Sequence, residues 1–478
     1  MSQQSPQILQ KLWSHYQILR NDGLSYRDFV EQLTFLLFLK MAHERTLPPR
    51  NQPSAVPQDF DWPSLLTRES DAREVHYRRL LLELGKQPGL PGVLFIRAQD
   101  RIRNPAKLRR LILDIDREPW SALDADVQGE AFEELLEKSA REGASLSFTP
   151  RPLIQVIVDV LRLRPDETLC DPACGTGGFL VAAYEAISQR YPRMDRGEKR
   201  RLKLQSLRGY EIDFTVTRLC AMNLLLHGIG PEIGDDAEPL VETRDSLMNP
   251  PGRSFDIVLT CPPFGVKSGV PSRKDFWVST PSQHLNFVQH VRSLLEVHGR
   301  AAVVVPDSVL FEGGAGETVR RKLLQECDLH TLLRLPTGLF QAPGFKPNVL
   351  FFDRKPTSPT PWTEKLWVYD LRTNLRFPQK TNPLKRSDLE EFVEAYNPDD
   401  RHDRKPTWSA AHPAGRWRDF SYDELIQRER CNLDLFWLKD ESLEASGRLP
   451  DPDVIAGEII EDLRAALEQL EAIQAEVG

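Results

Sequence analysis

Apolar and polar positions change their period along the chain, and the first region has the period of helices. Five apolar residues fall on one helical face: Phe29, Leu33, Leu36, Leu37 and Met41. Ser25 precedes this run, and Asp28 lies three positions after Ser25. This spacing approximates a capping box. Proline-rich breaks at 47–63 and 87–91 divide the region into several helices. We therefore expect an N-terminal helical domain over residues 1–143.

The period then alternates between strand and helix. Runs such as 301–305 and 349–352 are apolar and rich in valine or phenylalanine, with helical patterns between them. This alternation is typical of a doubly wound α/β sheet, which we place at residues 144–400. The proline-rich segment 355–361 is expected to be a hairpin loop between the last two strands, because the strand-like segment 366–369 follows it.

The last region, residues 401–478, ends in an apolar seam with spacings of three and four. The seam consists of Ala456, Ile459, Leu463, Ala466, Leu470, Ile473 and Val477. This pattern over 453–477 predicts an amphipathic or coiled-coil helix. Spacing alone favours neither packing on its own domain nor docking on a partner.

Composition favours a cytoplasmic protein. The longest apolar run, 33–39, is interrupted by Thr34 and is too short to cross a membrane. The first residues do not have the pattern of a signal peptide. The six cysteines are scattered and lack CxxC spacing, so we expect reduced thiols, no disulfide and no metal site.

The net charge of −8 provides no basic footprint of the kind that a free-standing nucleic-acid binder usually has. Two local basic clusters could contact phosphate. They are Lys267 with Arg273 and Lys274, and Arg320-Arg321-Lys322. A solvated helix or loop face is the ordinary interpretation of both clusters.

One glycine-rich turn joins a predicted strand to a predicted helix. It reads Asp171-Pro172-Ala173-Cys174-Gly175-Thr176-Gly177-Gly178. Glycines allow close backbone approach and positive φ, and the helix N-terminus offers unpaired N–H groups. The turn thus suits a nucleoside-like cofactor, although tight strand-to-helix turns need glycine whatever they bind.

Three later strand ends also carry candidate chemistry. Glu211 follows the second strand, where an α/β nucleotide fold places its ribose-binding carboxylate. Asp245 follows the third strand, and the fourth runs into Cys261-Pro262-Pro263-Phe264. The alternatives are a helix N-terminal acid for Asp171, a solvated strand-end charge for Glu211 and the start of a turn for Asp245.

With these motifs, the chain closely resembles the modification (M) subunit of Type I restriction-modification systems, an S-adenosylmethionine-dependent amino-methyltransferase of DNA. The resemblance covers nearly the whole chain. It rests on segments 22–26, 38–41, 148–151, 171–179, 211–213, 285–287, 305–314, 348–352 and 370–374.

The resemblance implies a Rossmann-like methyltransferase domain that transfers a methyl group from S-adenosyl-L-methionine to N6 of adenine in double-stranded DNA. The implied cofactor residues are Phe148, Thr149, Pro150, Arg151, Asp171, Pro172, Ala173, Gly175, Thr176, Gly177, Gly178, Glu211 and Asp245. Without the resemblance, Thr149 and Pro150 could merely cap and open a helix over 153–161. The implied partners are a specificity (S) subunit that selects the DNA site and is bound by C-terminal helices, a second M subunit and a restriction (R) subunit.

The implied catalytic residues are Cys261, Pro262, Pro263 and Phe264, and Cys261 departs from the family, which carries Asn, Asp or Ser there. An amide oxygen at 261 and the Pro262 carbonyl would accept the two amine hydrogens, while Phe264 stacks on a flipped base. A thiol is a weak acceptor, so one alternative is a cofactor-binding but catalytically weak scaffold subunit. Another is an amino-methyltransferase of protein or RNA. A nucleophilic thiolate is disfavoured because no His or Lys is adjacent.

Overall fold

The computed structural model describes residues 14–141, 148–235, 237–264, 269–340, 345–375, 377 and 382–439. The predicted seam over 453–477 and the side chain of Lys267 lie outside these ranges. Both expectations therefore stay predictions.

The region before residue 142 is helical. After helical residues 14–20 come α1 (Tyr26–Thr46), α2 (Trp62–Leu66), α3 (Ser70–Leu84), α4 (Gly89–Phe95), α5 (Pro105–Asp116) and α6 (Ala125–Arg141). Ser25 is the N-cap of α1, and its hydroxyl accepts a hydrogen bond from the backbone N–H of Asp28 at 3.1 Å. The second half of the predicted capping box differs, because the Asp28 carboxylate accepts from the Ser25 hydroxyl at 2.6 Å and not from the Ser25 backbone.

Helix α1 is buried on nearly all sides, whereas the sequence predicted one apolar face. The reason is that other helices of this region and of the α/β region surround it. Its polar residues are satisfied internally: the Gln32 amide donates to the Gln99 carbonyl at 2.8 Å, and Lys40 pairs with Asp116 at 2.8 Å.

The remaining chain alternates between strands and helices. The strands are β1 (Leu169–Asp171), β2 (Leu207–Glu211), β3 (Val241–Thr243), β4 (Phe255–Thr260), β5 (Leu295–Pro306), β6 (Cys327–Arg334), β7 (Pro347–Arg354), β8 (Lys365–Asp370) and β9 (Trp417–Ser421). The helices are α7 (Arg151–Val160), α8 (Gly178–Arg190), α9 (Arg196–Leu204), α10 (Phe214–Leu226), α11 (Gln283–Leu294), α12 (Ser308–Phe311), α13 (Ala315–Glu326), α14 (Glu390–Tyr396) and α15 (Tyr422–Gln427).

These strands form one sheet in the order β3-β2-β1-β4-β5-β7-β6-β8-β9. Strands β1 to β5 pair parallel with one another, and β7 is inserted antiparallel between β5 and β6. The chain order reverses between β1 and β4, which is where open α/β sheets bind ligands beyond the carboxyl ends of the strands. The predicted doubly wound α/β class is confirmed.

Two details of the predicted layout differ. Strand β8 pairs parallel with β6 and not with β7, so 355–361 is a crossover and not a hairpin loop. Strand β9 pairs with β8, so the sheet continues past residue 400, where we placed the end of the α/β region. The division into domains stays a prediction.

Apolar side chains cover both faces of the sheet. Leu169, Ile257 and Val304 face one buried cluster, which also includes α1 and α7, while Val258 and Val303 face the cluster formed with α11 and α13. Alternate residues of a strand point to opposite faces, so both layers of helices are needed to bury the sheet. Within the described residues, no helix is long and apolar enough to cross a membrane.

Charged side chains join the N-terminal helices to the sheet. Arg218 of α10 is fully buried, pairs with Glu31 of α1 and donates to the carbonyls of Leu94 and Ile96. Removing one partner of such a buried ion pair strongly destabilises the fold, because the other charge is left unpaired. The pair should therefore keep α1 and α10 in a defined relative position.

Candidate functional site

Four predicted site segments meet at the carboxyl edge of the sheet. Asp171 ends β1 and Glu211 ends β2, while Asp245 and Cys261 follow β3 and β4. Strands β1 and β4 are direct neighbours at the point where the strand order reverses. The structure therefore brings these four positions to one edge.

The backbone of the turn 171–178 requires glycine at two positions. Gly175 and Gly177 have φ of +53° and +88°, and Gly177 is the N-cap of α8. A Cβ on Gly177 would lie 2.8 Å from the buried Sγ of Cys220, whereas a Cβ on Gly175 would meet nothing within 4 Å. Gly177 is thus needed for packing below the turn, and Gly175 faces open space.

Side chains from three other elements hold this turn. The Gly175 N–H donates to Oε2 of Glu211 at 3.1 Å. The Asn223 amide donates to the Thr176 carbonyl at 3.0 Å, and the Ser246 hydroxyl donates to the Pro172 carbonyl at 2.7 Å. Sequence reasoning missed Asn223, because it lies in the middle of an apolar helix and no local pattern indicates its partner.

Asp171 of the cofactor turn is buried, and Glu211 beside the turn is partly buried. Asp171 is 1% exposed, and burial raises its pKa to about 7, although the Ala173 N–H donates to it at 3.1 Å. Burial also raises the pKa of Glu211, and the N–H groups of Gly175 and Asp213 partly offset that shift. A positively charged or hydrogen-bond-donating ligand would stabilise the ionised form of both acids.

Asp245 has a local role in the structure. Its Oδ1 accepts hydrogen bonds from the backbone N–H groups of Leu247 and Met248, both at 3.1 Å. This is the turn-start alternative that the sequence allowed, and it leaves Oδ2 available to a ligand.

Segment 148–151 does not cap a helix with Thr149. Helix α7 begins at Arg151, its N-cap is Pro150, and that cap has no side-chain hydrogen bond. The Thr149 hydroxyl instead lies near the Cys261 thiol, where it opposes the rise in the pKa of that thiol. Arg151 pairs with Glu133 and lies 3.5 Å from Glu185, so its guanidinium already has carboxylate partners. Phe148 is half-buried against the core.

Cys261 is half-buried at the end of β4, and Pro262 after it is buried. Burial raises the pKa of the Cys261 thiol to about 12, and the nearby Asp171 adds to the shift. The thiol therefore stays neutral at physiological pH, which argues against a thiolate nucleophile.

Phe264 belongs to an aromatic group assembled from distant segments. Its ring centroid lies 3.7 Å from that of Phe345, 5.1 Å from that of Phe340 and 6.4 Å from that of His284. Sequence reasoning missed these three partners, since they lie 20 to 81 positions away and no spacing links them to the loop.

One arginine in each basic cluster proves to be structural. Arg320 is 2% exposed and donates to four backbone carbonyls, among them Val309 and Cys431. Arg273 pairs with Asp275 and donates to the Leu247 carbonyl at 3.1 Å. Lys274 is exposed. Neither arginine is available to a phosphate, because buried guanidinium groups are already satisfied.

Known proteins share this arrangement. The sequence profile described as N-6 DNA Methylase matches residues 123–422. The Type I restriction enzyme StySPI methylase subunit of Salmonella potsdam is 35% identical, over 98% of this chain and 95% of its own length. The Type I restriction enzyme EcoKI methylase subunit of Escherichia coli strain K12 has the same identity and coverage.

Solved structures agree with the sequence relatives. The crystal structure of the EcoKI M protein matches 99% of this chain and 96% of its own, with 32% identity and a TM-score of 0.56. A chain from a study of complex assembly in the type I R-M system matches 97% of both chains, with 27% identity and a TM-score of 0.73.

Proposed function

We propose that this chain methylates N6 of adenine in double-stranded DNA. It belongs to the N-6 DNA methylase family and, within that family, to the methylase subunits of Type I restriction enzymes. The family makes it a methyltransferase. The observation that carries the detailed proposal is the meeting of the cofactor turn, Glu211 and Cys261-Pro262-Pro263-Phe264 at one sheet edge.

The residues present fit S-adenosyl-L-methionine. Open space in front of Gly175 leaves room for a ligand against the backbone, and two acids whose pKa values are raised by burial face the same edge. Glu211 would accept hydrogen bonds from ribose hydroxyls, as strand-end acids of nucleotide folds do. Asp171 would hold the cationic part of the cofactor. When bound, the cofactor supplies a methyl group on a sulfonium centre.

The catalytic loop would position the base amine. The amine lone pair is conjugated with the ring, and acceptors for the two amine hydrogens favour its release from conjugation. The Pro262 carbonyl would accept one hydrogen. The ring of Phe264 would stack on the extruded base, which requires that Phe345 move from its present contact at 3.7 Å.

Partners complete the proposed function. Relatives of this length are subunits of Type I restriction enzymes, and we infer the same setting in the cytoplasm here. The chain would act with a specificity subunit that selects the DNA site, a second M subunit and a restriction subunit. Residues 1–439 carry a net charge of only +1, which provides no strong basic footprint and is consistent with site selection by another subunit.

Transfer of label from S-adenosyl-L-methionine to DNA tests the proposal. The full chain is co-expressed with its specificity subunit and compared with Glu211→Ala, which should lose both cofactor affinity and transfer. Label recovered as N6-methyladenine is the expected result. Cofactor binding without any label in DNA would contradict the methylation proposal, and absence of cofactor binding by titration would contradict the assignment of the turn.

A second candidate function is a cofactor-binding scaffold with weak catalysis. The neutral thiol at 261 favours it, because a thiol is a poor acceptor for an amine hydrogen. Cys261→Asn distinguishes the two candidates. A scaffold would gain about 10²–10³-fold in transfer rate from the amide, whereas an efficient native enzyme would gain little. No specific observation favours a protein or RNA acceptor.

A further inference from the structure

His284 lies beside the catalytic loop but has no role in the function proposed so far. It is the second residue of α11, whose N-cap Ser282 makes no side-chain capping bond. Its ring centroid is 6.4 Å from that of Phe264, with the two rings inclined by 32°. The imidazole therefore borders the place where Phe264 would receive a base.

The Nδ1 atom of His284 is buried, and it has no hydrogen-bond partner within the part of the chain that the structure describes. Leaving a buried polar atom without a partner destabilises the folded state. The position of Nδ1 at the edge of the proposed base pocket suggests that a bound ligand donates the hydrogen bond that this atom lacks.

The charge state of His284 suits an acceptor. Burial lowers its pKa below the ordinary 6.5, and no charged side chain of the described residues contributes to that shift. The imidazole is then neutral near pH 7. With the proton on Nε2, its Nδ1 offers a lone pair, which is a stronger acceptor than the sulfur of a thiol.

We propose that Nδ1 of His284 accepts one of the two amine hydrogens of the target adenine. An amide oxygen at position 261 would fill this role, but Cys261 has none. The inference rests on the proposed function. The Pro262 carbonyl accepts the other hydrogen. His284 thereby restores the acceptor pair that a side chain at 261 alone would leave incomplete.

The transfer step balances with this assignment. N6 donates its electron pair to the methyl carbon, and the carbon–sulfur bond breaks with its pair remaining on sulfur. The methylated amine then carries one excess proton, which passes to Nδ1. The resulting imidazolium releases a proton from Nε2 to solvent, and this returns the neutral ring.

The first experiment compares two substitutions in the full chain with its specificity subunit. His284→Leu should lower kcat by about 10²-fold, as removal of one preorganised polar partner does elsewhere. His284→Asn should recover most of the rate, because its amide oxygen can occupy the region of Nδ1. His402→Ala is the control, since His402 is an exposed histidine beyond the helices that contact the loop.

A double substitution separates chemistry from structure. If Asn at 261 supplies the missing acceptor, His284→Leu should cost less than about tenfold in the Cys261→Asn background. Equal losses in both backgrounds would overturn the inference, as would a native rate for His284→Leu alone. Native chain that binds cofactor yet labels no DNA would instead overturn the proposed function.

Fluorescence of 2-aminopurine at the target position provides a reading that does not depend on transfer. This base has no amine at position 6, so His284→Leu should leave its extrusion unchanged. A loss of extrusion would assign His284 a merely structural role and overturn the inference. If His284→Leu does not fold, His284→Ala, which also removes the acceptor, carries the same comparison alone and with Cys261→Asn.

Discussion

The cofactor turn at 171–178 and the catalytic loop at 261–264 follow neighbouring strands, yet they are held in different ways. The cofactor turn is held by a hydrogen bond that it donates to Glu211 and by hydrogen bonds that it accepts from Asn223 and Ser246. Packing holds the catalytic loop, through the buried Pro262 and the rings around Phe264. A turn fixed through its own backbone tolerates few substitutions, whereas a packed loop depends on what surrounds it.

This difference predicts that the catalytic loop tolerates substitutions better than the cofactor turn does. A changed residue in the cofactor turn alters φ or removes a partner of a buried group. A changed residue at 261 leaves the Pro262 carbonyl and Phe264 in place, and the side chains of His284, Phe340 and Phe345 already lie around the Phe264 ring.

Gly177→Ala should have the largest effect. Alanine at this position must adopt a left-handed backbone, and its Cβ would lie 2.8 Å from the Sγ of Cys220. We therefore expect the free energy of unfolding to fall by roughly 2–5 kcal/mol and cofactor binding to become unmeasurable. Chemical denaturation and titration measure both. Gly175→Ala is the matched control and should cost only about 1–2 kcal/mol. Equal costs at the two glycines would contradict the packing argument.

Asp171→Asn should separate binding from stability. An acid whose folded-state pKa is raised binds its proton more tightly when folded, so ionisation opposes folding increasingly as the pH rises from about 4 to about 7. We expect the variant to bind cofactor roughly 10–100-fold more weakly. Its free energy of unfolding at pH 8 should nevertheless be about 1–3 kcal/mol higher than that of the native chain. At pH 3.5 the stability gain should vanish. Thermal denaturation at both values checks the sign.

Phe264→Leu should affect only the catalytic loop. A base stacked on an aromatic ring gains about 1–3 kcal/mol, so methyl transfer should fall roughly 10–100-fold while cofactor affinity is unchanged. Phe311→Leu provides the control, because Phe311 is an exposed phenylalanine of α12. A parallel loss of cofactor affinity would show that the two segments are not independent.

Arg27→Ala should have the smallest effect. Arg27 pairs with Asp213 at 2.8 Å, and the Asp213 N–H in turn donates to Glu211. Both charged groups are partly exposed, so the pair contributes less than about 1 kcal/mol. We expect at most a few-fold change in cofactor affinity. A larger loss, absent from the control Arg117→Ala, would indicate that the N-terminal helices position the cofactor site.

One average property of the sequence was misleading. Residues 440–478 contain eleven carboxylate side chains and two arginines, so this segment accounts for a charge of −9, and the rest of the chain is at +1. The net charge of −8 therefore describes the tail and not the remainder of the chain. The local charge pattern was also misleading for Arg320. It placed this residue in a cluster that could contact phosphate, but the guanidinium is buried against backbone carbonyls.

Much of the site was predictable where the signal is local. The strand-turn-helix at 171–178 and the acid at 211 follow from glycine stereochemistry and from the position of strand ends. Asn223, Phe345 and His284 were not predictable, because their partners are far away in the chain. The same applies to the pairing of β8 with β6, since strand order depends on contacts between non-adjacent segments.

The sequence by itself determined the α/β class, the glycine positions, the acids at the strand ends and the unusual thiol at 261. These features depend on φ, on side-chain period and on residue type, all of which are local properties. Only the tertiary structure decided which groups approach Cys261 and Phe264, how far burial raises the pKa of Asp171, and which arginines are free. Burial and polar pairing are properties of the assembled chain, because both depend on neighbours that only folding brings together.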